Sequence, residues 1–455
     1  MLDTVGPTSV TNPRRRRLHP ARLTLLGFGG GILVGTVLLM LPISTVGPGG
    51  ASLIEAFFTA VSAICVTGHV IVDTATYWTP FGQTVILLLI QIGGFGVMTF
   101  ATIVGVAVVR RLSLSSRLTT AAETKSFGIN NVRALVINVL RISLVIESAA
   151  AVVLFAWFTL RYGRPVGEAA WLAVFHAVSS FNNAGFSLFS DNMIGFVADP
   201  VVSLTLSTAV ILGGLGFPVI LQLLRWWRRP LLWSMNTRIV LAATAMLLMV
   251  GTVYITAIEW NNPATLGPLD WPAKILAGFF QSVQTRTAGF NSIDIGGASE
   301  ATQFGMSALM FIGAGPAGTA GGIKVTTFAV LLFILIAEVR GQGVVNIFGK
   351  RLSRAVHRQA ISVVLLSVAV VVAATVAIML MSGLSLTPVL FESVSAFATV
   401  GLSTGITAQL PVGAQLILAA LMLIGRLGPI TFATALALRE RETLFQYPKE
   451  RPIIG

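Results

Sequence analysis

Four short stretches of this sequence follow one pattern: a phenylalanine, an apolar run too short to cross a bilayer, and a glycine ten positions after the phenylalanine. They run from Phe58 to Gly68, Phe175 to Gly185, Phe279 to Gly289 and Phe391 to Gly401. Three carry a Val-Ser pair at the same offset, Val61-Ser62, Val178-Ser179 and Val394-Ser395. Glycine adopts positive φ without steric cost and lets backbones approach closely, so the carbonyls around it can be turned to one side. Rings of such carbonyls replace the hydration shell of a potassium ion. The expected chemistry is therefore cation coordination by main-chain oxygen rather than catalysis. A single cysteine, Cys65, excludes an intramolecular disulfide framework and a cysteine-built metal cage, and four scattered histidines offer no His-built one.

The glycines recur at intervals of 117, 104 and 112 residues, the mark of a unit repeated four times. A second landmark, Gly93 and Gly96, Gly213 and Gly216, Gly313 and Pro316, or Gly425 and Gly428, begins 24 to 28 residues after each loop glycine. Each unit reads as helix, short amphipathic helix, glycine loop, helix. Small residues at this spacing also serve plain close packing of membrane helices. Apolar pieces of ~10–14 residues are better read as re-entrant than as spanning, and non-helical backbone at membrane depth needs protein or a water-filled cavity around it. The four loops thus belong on a common axis. A short helix that enters from outside and ends mid-membrane points its partly negative C-terminus at the cavity below, where it favours a dehydrating cation. Ser52 followed by Glu55 matches a capping box at the outer start of the first such helix.

The elements that must hold these loops are membrane helices. The chain has 455 residues, 55% hydrophobic and 10% charged, with a mean hydropathy of +0.86; a soluble domain carries about 25% charged residues. Apolar sequence from Leu23 to Leu41 reads as a retained first helix, followed by spans near 80–108, 136–160, 201–224, 238–258, 304–338, 360–382 and 412–438. The net charge of +13 does not point to nucleic acid, because the segments 1–22, 110–133, 225–238, 340–358 and 439–455 hold 23 of the 30 Lys and Arg and alternate with the spans. By the positive-inside rule they are cytoplasmic, both termini included. Ten acids, among them Glu55, Asp73, Asp191, Glu259, Asp294 and Glu392, are expected on the outer side, where they would concentrate cations.

With loops reading CVTG, NNAG, RTAG and ATVG, a third unit containing GAGPAGTAGGIK and a fourth containing IGRLGP, the chain resembles the KtrB/TrkH/HKT superfamily of potassium transporters from about Arg22 to Leu438. Eight spans without an added N-terminal helix pair make it more similar to the KtrB branch. The resemblance implies an all-α membrane protein with eight transmembrane helices and four re-entrant pore helices in pseudo-fourfold repeats. The repeats cover 23–110, 134–229, 236–340 and 358–438, between a basic N-terminus (1–22) and a C-terminal tail (439–455). The implied selectivity filter comprises Ile64, Cys65, Val66, Thr67 and Gly68; Phe181, Asn182, Asn183, Ala184 and Gly185; Arg286, Thr287, Ala288 and Gly289; and Ala398, Thr399, Val400 and Gly401, with potassium on their backbone carbonyls. Cys65, Asn182, Asn183 and Ala288 depart from the threonine-valine-glycine pattern of dedicated potassium channels, which bears on tightness of selectivity. HKT relatives with serine at a filter position can prefer sodium; four glycines favour potassium.

Below the filter, Gly313, Ala314, Gly315, Pro316, Ala317, Gly318, Thr319, Ala320, Gly321 and Gly322 interrupt what would otherwise be one long helix, since glycine and proline discourage helix. The resemblance implies that this loop is the gate. Lys324 ends it and would raise the electrostatic barrier if it faces the pore; the alternative is a kink with Lys324 snorkelling. Arg426 sits mid-span, where a charge is costly unless it faces protein or water. The resemblance implies a positive barrier under the filter; a structural arginine on Glu147 or backbone carbonyls is the competing view. Arg286 is expected to point behind the filter, because in the ion path it would repel potassium. The function implied is potassium uptake driven by membrane potential, about 2.3 kcal/mol per charge for each 100 mV, in the cell (inner) membrane. No covalent cofactor is expected, and sodium is a candidate activator. The implied partners are a second copy in a homodimer, a cytosolic KtrA-like nucleotide-binding regulatory ring and membrane lipid, with loops 110–133 and 340–358 as docking surfaces. A secondary transporter with an occluded mid-membrane site would normally show inverted repeats, whereas these four share orientation. An intramembrane enzyme would need an acid–base set beside Lys324.

Overall fold

The computed structural model describes residues 20–111 and 132–428. The segment 1–19, most of loop 110–133 and everything after Gly428, including the end of the last expected span and the tail 439–455, lie outside the described residues. The first unit is α1 (Pro20–Leu39), α2 (Leu53–Ile64) and α3 (Pro80–Arg111). The second is α4 (Val132–Leu160), α5 (Val166–Phe181), α6 (Pro200–Leu215) and α7 (Phe217–Trp226). The third is α8 (Met235–Glu259), α9 (Trp271–Gln284), α10 (Glu300–Phe311) and α11 (Val325–Val339). A two-stranded hairpin, β1 (Asn346–Ile347) against β2 (Lys350–Arg351), leads into the fourth unit, α12 (Arg354–Ser382), α13 (Leu386–Ala398) and α14 (Val412–Leu427).

The helices α2, α5, α9 and α13 have 12, 16, 14 and 13 residues. They reach only about 18–24 Å, short of a ~30 Å hydrocarbon core. Ser52 starts α2 with both halves of a capping box: its hydroxyl accepts from the Glu55 amide, and Glu55 Oε2 accepts from the Ser52 amide at 2.8 Å. Among the described residues, Val136–Leu160, Met235–Glu259 and Arg354–Ser382 are long and apolar enough to cross a membrane, and Pro200–Leu215 with Phe217–Trp226 makes a fourth if that bent pair is one span. Leu33, Val145, Val253 and Leu365 on the outer helices are 63 to 69% exposed, an apolar surface suited to lipid.

The units close into a cycle. The helix that follows each loop packs on the short helix of the next unit: α3 on α5, α6 on α9, α10 on α13, and α14 back on α2. Phe58, Phe175 and Phe391 of the repeated pattern are fully buried at this centre. Two expected spans are broken. The sequence implies one span over 201–224, but the helix ends at Leu215 and restarts bent by 100°, because Gly216 takes φ +88° and Pro218 has no amide to continue the ladder. The span 304–338 is also two helices, broken where the run 313–322 was expected to interrupt it, with non-helical chain between Phe311 and Val325.

Candidate cation pathway

Each short helix runs directly into its glycine loop. In all four loops the glycine and the residue two before it have positive φ: Val66 (55°) and Gly68 (91°), Asn183 (58°) and Gly185 (67°), Thr287 (67°) and Gly289 (83°), Thr399 (51°) and Gly401 (92°). Carbonyls that alternate in direction along an extended chain are turned to one side when every second residue is left-handed. For a β-branched residue such as Val66, Thr287 or Thr399 this conformation costs about 1–3 kcal/mol and persists only where the surroundings impose it. The imposing contacts recur. Thr67, Ala184 and Val400 donate their amides to the carbonyls of Ser62, Ser179 and Ser395, each at 2.8 Å. The Val-Ser pairs of the sequence pattern are thus the braces of the loops; the third unit, which lacks the pair, has Ala288 donating to the Gln284 carbonyl at 3.1 Å.

The four glycines face one another in a closed ring. A Cβ built on Gly68 would strike the Ala184 carbonyl and lie 3.1 Å from the Cα of Gly185. One on Gly185 meets the Ala288 carbonyl and Gly289, one on Gly289 the Val400 carbonyl and Gly401, and one on Gly401 the Thr67 carbonyl and Gly68. Beneath the ring, Gly93, Gly213 and Gly425 lie against the carbonyls of Ile64, Phe181 and Phe397 at the ends of their short helices, where any Cβ would overlap the oxygen. These landmark glycines are the close-packing devices that bring the ends of the short helices onto the following helices.

The side chains three before each glycine turn away from the ring. Cys65 is buried. Asn182 donates to Gln91 at 2.9 Å and to Glu147 at 3.2 Å, and Gln91 also donates to Glu147 at 3.1 Å. Arg286 is buried and donates from Nη2 to the Gly313 carbonyl at 3.1 Å. Ala398 packs under Gly322.

The chain from Gly313 to Gly322 lies against the inner ends of these loops. Gly315 and Thr319 donate their amides to the Gly214 and Gly213 carbonyls, freed where α6 breaks, at 2.8 and 3.2 Å, and Phe217 donates to Ala317 at 3.2 Å. The Thr319 hydroxyl is 2.8 Å from the Asn183 side-chain amide, and Gly321 sits against the Thr399 side chain. Lys324 Nζ donates to the Ala320 carbonyl at 2.6 Å. Arg426 is buried and donates to two carbonyls, Thr319 in this loop and Gly93 in α3, the latter at 3.0 Å. Its partners are therefore backbone oxygens and not Glu147, which is taken by the two amides.

The sequence profile of TrkH, described as a cation transport protein, matches residues 37–447. The chain belongs to the TrkH family of cation transport proteins. It is 40% identical over 439 residues to the Ktr system potassium uptake protein B of Bacillus subtilis, covering 96% of this chain and 97% of the relative. It is 34% identical over 450 residues to the potassium/sodium uptake protein NtpJ of Enterococcus hirae, covering 97% and 98%. The crystal structure of the potassium transporter TrkH from Vibrio parahaemolyticus has the same fold, with a TM-score of 0.73 at 17% identity over 94% of this chain and 87% of that one.

On the side of the ring away from the Gly313–Gly322 loop, this TrkH-family chain opens a cavity with Gly68, Gly185 and Gly401 at its floor and Asp73 and Asp191 in its wall. Asp73 joins the first two units by accepting from the Ser190 hydroxyl at 2.6 Å. Glu55 accepts from the Tyr77 hydroxyl at 2.8 Å, and burial together with that carboxylate pushes the Tyr77 phenol up to about 12, so it stays a donor at physiological pH. Two of the acids expected on the outer side are buried and not open to this cavity. Glu259 and Glu392 are wholly buried, Glu259 capping α10 through Ser299 and Glu392 holding Ser403 and Thr404. Sequence reasoning also passed over His69, whose ring is buried beside Glu392; its position directly after a loop glycine was the available signal.

Proposed function

We propose that this chain is the ion-conducting subunit of a potassium uptake system, passing potassium down the membrane potential through a filter of main-chain carbonyls and a gate beneath it. The observation that carries the reading is the closed ring of Gly68, Gly185, Gly289 and Gly401, each facing its neighbour's carbonyl, with left-handed backbone at matching positions. The names of the Ktr relatives support potassium as cargo, and that of NtpJ supports a part for sodium. The loop Gly313–Gly322 is the gate: it crosses beneath two filter loops, and Arg426 clamps it to α3. Both termini are cytoplasmic and the membrane is the cell (inner) membrane, as the basic segments favour. The working assembly is a homodimer on a cytosolic nucleotide-binding ring, with the basic loops as contacts to ring or lipid. The four units share one orientation, which favours a channel-like path over an occluding secondary transporter.

The test is rubidium uptake into vesicles of defined membrane potential, with and without sodium. Uptake that follows the potential and resists excess sodium is expected for the wild type, with loss of that discrimination in Gly289→Asp. A Gly289→Asp variant that discriminates normally would remove the filter assignment.

A further inference from the structure

Each filter loop must be held on its outer side as well as at its braces, and the first unit does this differently from the rest. In the second unit His176, nine residues before Gly185, lies 3.2 Å from the Ser187 hydroxyl and accepts from the Leu188 amide at 3.3 Å. In the fourth, Glu392 at the same offset from Gly401 accepts from the Ser403 hydroxyl at 2.5 Å and the Thr404 amide at 3.0 Å. In the third, Gln281, one position later, accepts from the Ser292 amide at 3.5 Å. Each short helix thus holds its own post-filter segment. The first unit has Thr59 at this offset, and its buried hydroxyl has no hydrogen-bond partner.

What the first unit has instead is His69, immediately after Gly68. The matching residues elsewhere are Phe186, Phe290 and Leu402, all buried and apolar. His69 Nδ1 lies 3.3 Å from Glu392 Oε2, with both side chains wholly buried. A polar ring in an apolar position is costly unless it is compensated; neither His69 ring nitrogen makes a hydrogen bond of good geometry, and the polar group beside Nδ1 is the Glu392 carboxylate of the fourth unit. This contact spans the seam where α14 packs on α2, between the first and last units of the chain. At the same seam Gly401 faces the Thr67 carbonyl. Neighbouring units elsewhere follow one another in the chain; here ring closure depends wholly on non-covalent contacts.

We propose that the His69–Glu392 pair is a latch that closes the carbonyl ring at this seam and makes His69 a positioning residue for ion specificity. Glu392 then serves two units, strapping its own post-filter turn and substituting for the strap the first unit lacks. Without the latch the first loop keeps only its brace on Ser62, and a ring that can reshape itself around the smaller sodium ion discriminates less. The inference rests on the filter reading above.

The experiment is a double-mutant cycle on the full-length chain in vesicles, reading rubidium uptake against sodium as competitor. His69→Leu, which copies the apolar residue of the fourth unit, is expected to lower discrimination roughly tenfold. Glu392→Gln should lose a similar factor, and the double variant should be no worse than the poorer single one. Glu392→Gln keeps an acceptor oxygen for Ser403 and Thr404, so it carries the test if His69→Leu does not assemble. Phe290→Leu, at the matching position of the third unit, should discriminate as the wild type does. Wild-type discrimination in His69→Leu, an equal loss in Phe290→Leu, or losses that multiply in the double variant would each overturn the latch. Gly289→Asp in the same assay separates the two failures: if it loses discrimination while His69→Leu keeps it, only the latch falls.

Discussion

At the ring the four units are near copies, whereas beneath it they diverge. Every glycine loop has the same pair of left-handed positions and a comparable brace. Below, α3 of the first unit runs unbroken through Gly96 to Arg111. The second unit bends at Gly216, the third opens into the Gly313–Gly322 loop, and the fourth stops its helix at Gly428, with φ +83° and ψ 136° against +88° and 143° at Gly216. The contrast follows from what each level has to do. On the proposed filter reading, a ring of carbonyls around one ion needs equivalent contributions from all sides, so each unit is held to one conformation. No such demand acts underneath, and a loop from one unit can occupy the space that the break in another provides.

The sharpest way to break this comparison is to disturb the ring. Gly185→Asp or Gly401→Asp should reduce selective rubidium uptake to the level of empty vesicles, because the new Cβ strikes the Ala288 or Thr67 carbonyl and the carboxylate follows it into the ring. The effect should be alike in the two units. Normal selectivity in one of them would mean that the ring is not the unit of function.

Disturbing the inner level should instead act on flux. Arg426→Ala removes charged donors from the Thr319 and Gly93 carbonyls, each such hydrogen bond being worth about 1.5–3 kcal/mol. Flux without a partner subunit should rise about tenfold or more, since ~1.4 kcal/mol is a factor of ten. Deletion within Gly315–Gly322 should raise it further still, and selectivity should survive the point substitution better than the deletion. Flux unchanged in both would remove the gate assignment.

The two levels also differ in how far they could be read from sequence. The ring was legible because its repeat is written four times: glycine and aromatic recur in register in every unit and Val-Ser in three of them, and each has a local task. The capping box at Ser52 and Glu55 was legible for the same reason. What escaped depends on contacts between units. Glu392 reads as an acid at the mouth until the fold buries it against its own loop and His69. The bend at Gly216 had a local sign in Gly216-Phe217-Pro218, masked by the apolar run around it. Its consequence, two helix-end carbonyls offered to a loop of the next unit, is visible only in three dimensions.

That consequence yields the smallest and most discriminating prediction. A Cβ on Gly216 would strike the Pro316 carbonyl, and the backbone there is one that side chains rarely adopt. Gly216→Ala should therefore disturb the seat of the loop on Gly213 and Gly214 and raise basal flux by less than Arg426→Ala does. Gly96, its counterpart in the first unit, lies within continuous helix and has open space around it. Gly96→Ala should leave flux unchanged and add about 0.5–1 kcal/mol of helix stability, read as a higher thermal midpoint in detergent. Equal flux changes in the two variants would mean that the second glycine of each pair does one common task. Unequal ones are expected if the bend in the second unit exists to receive the loop of the third.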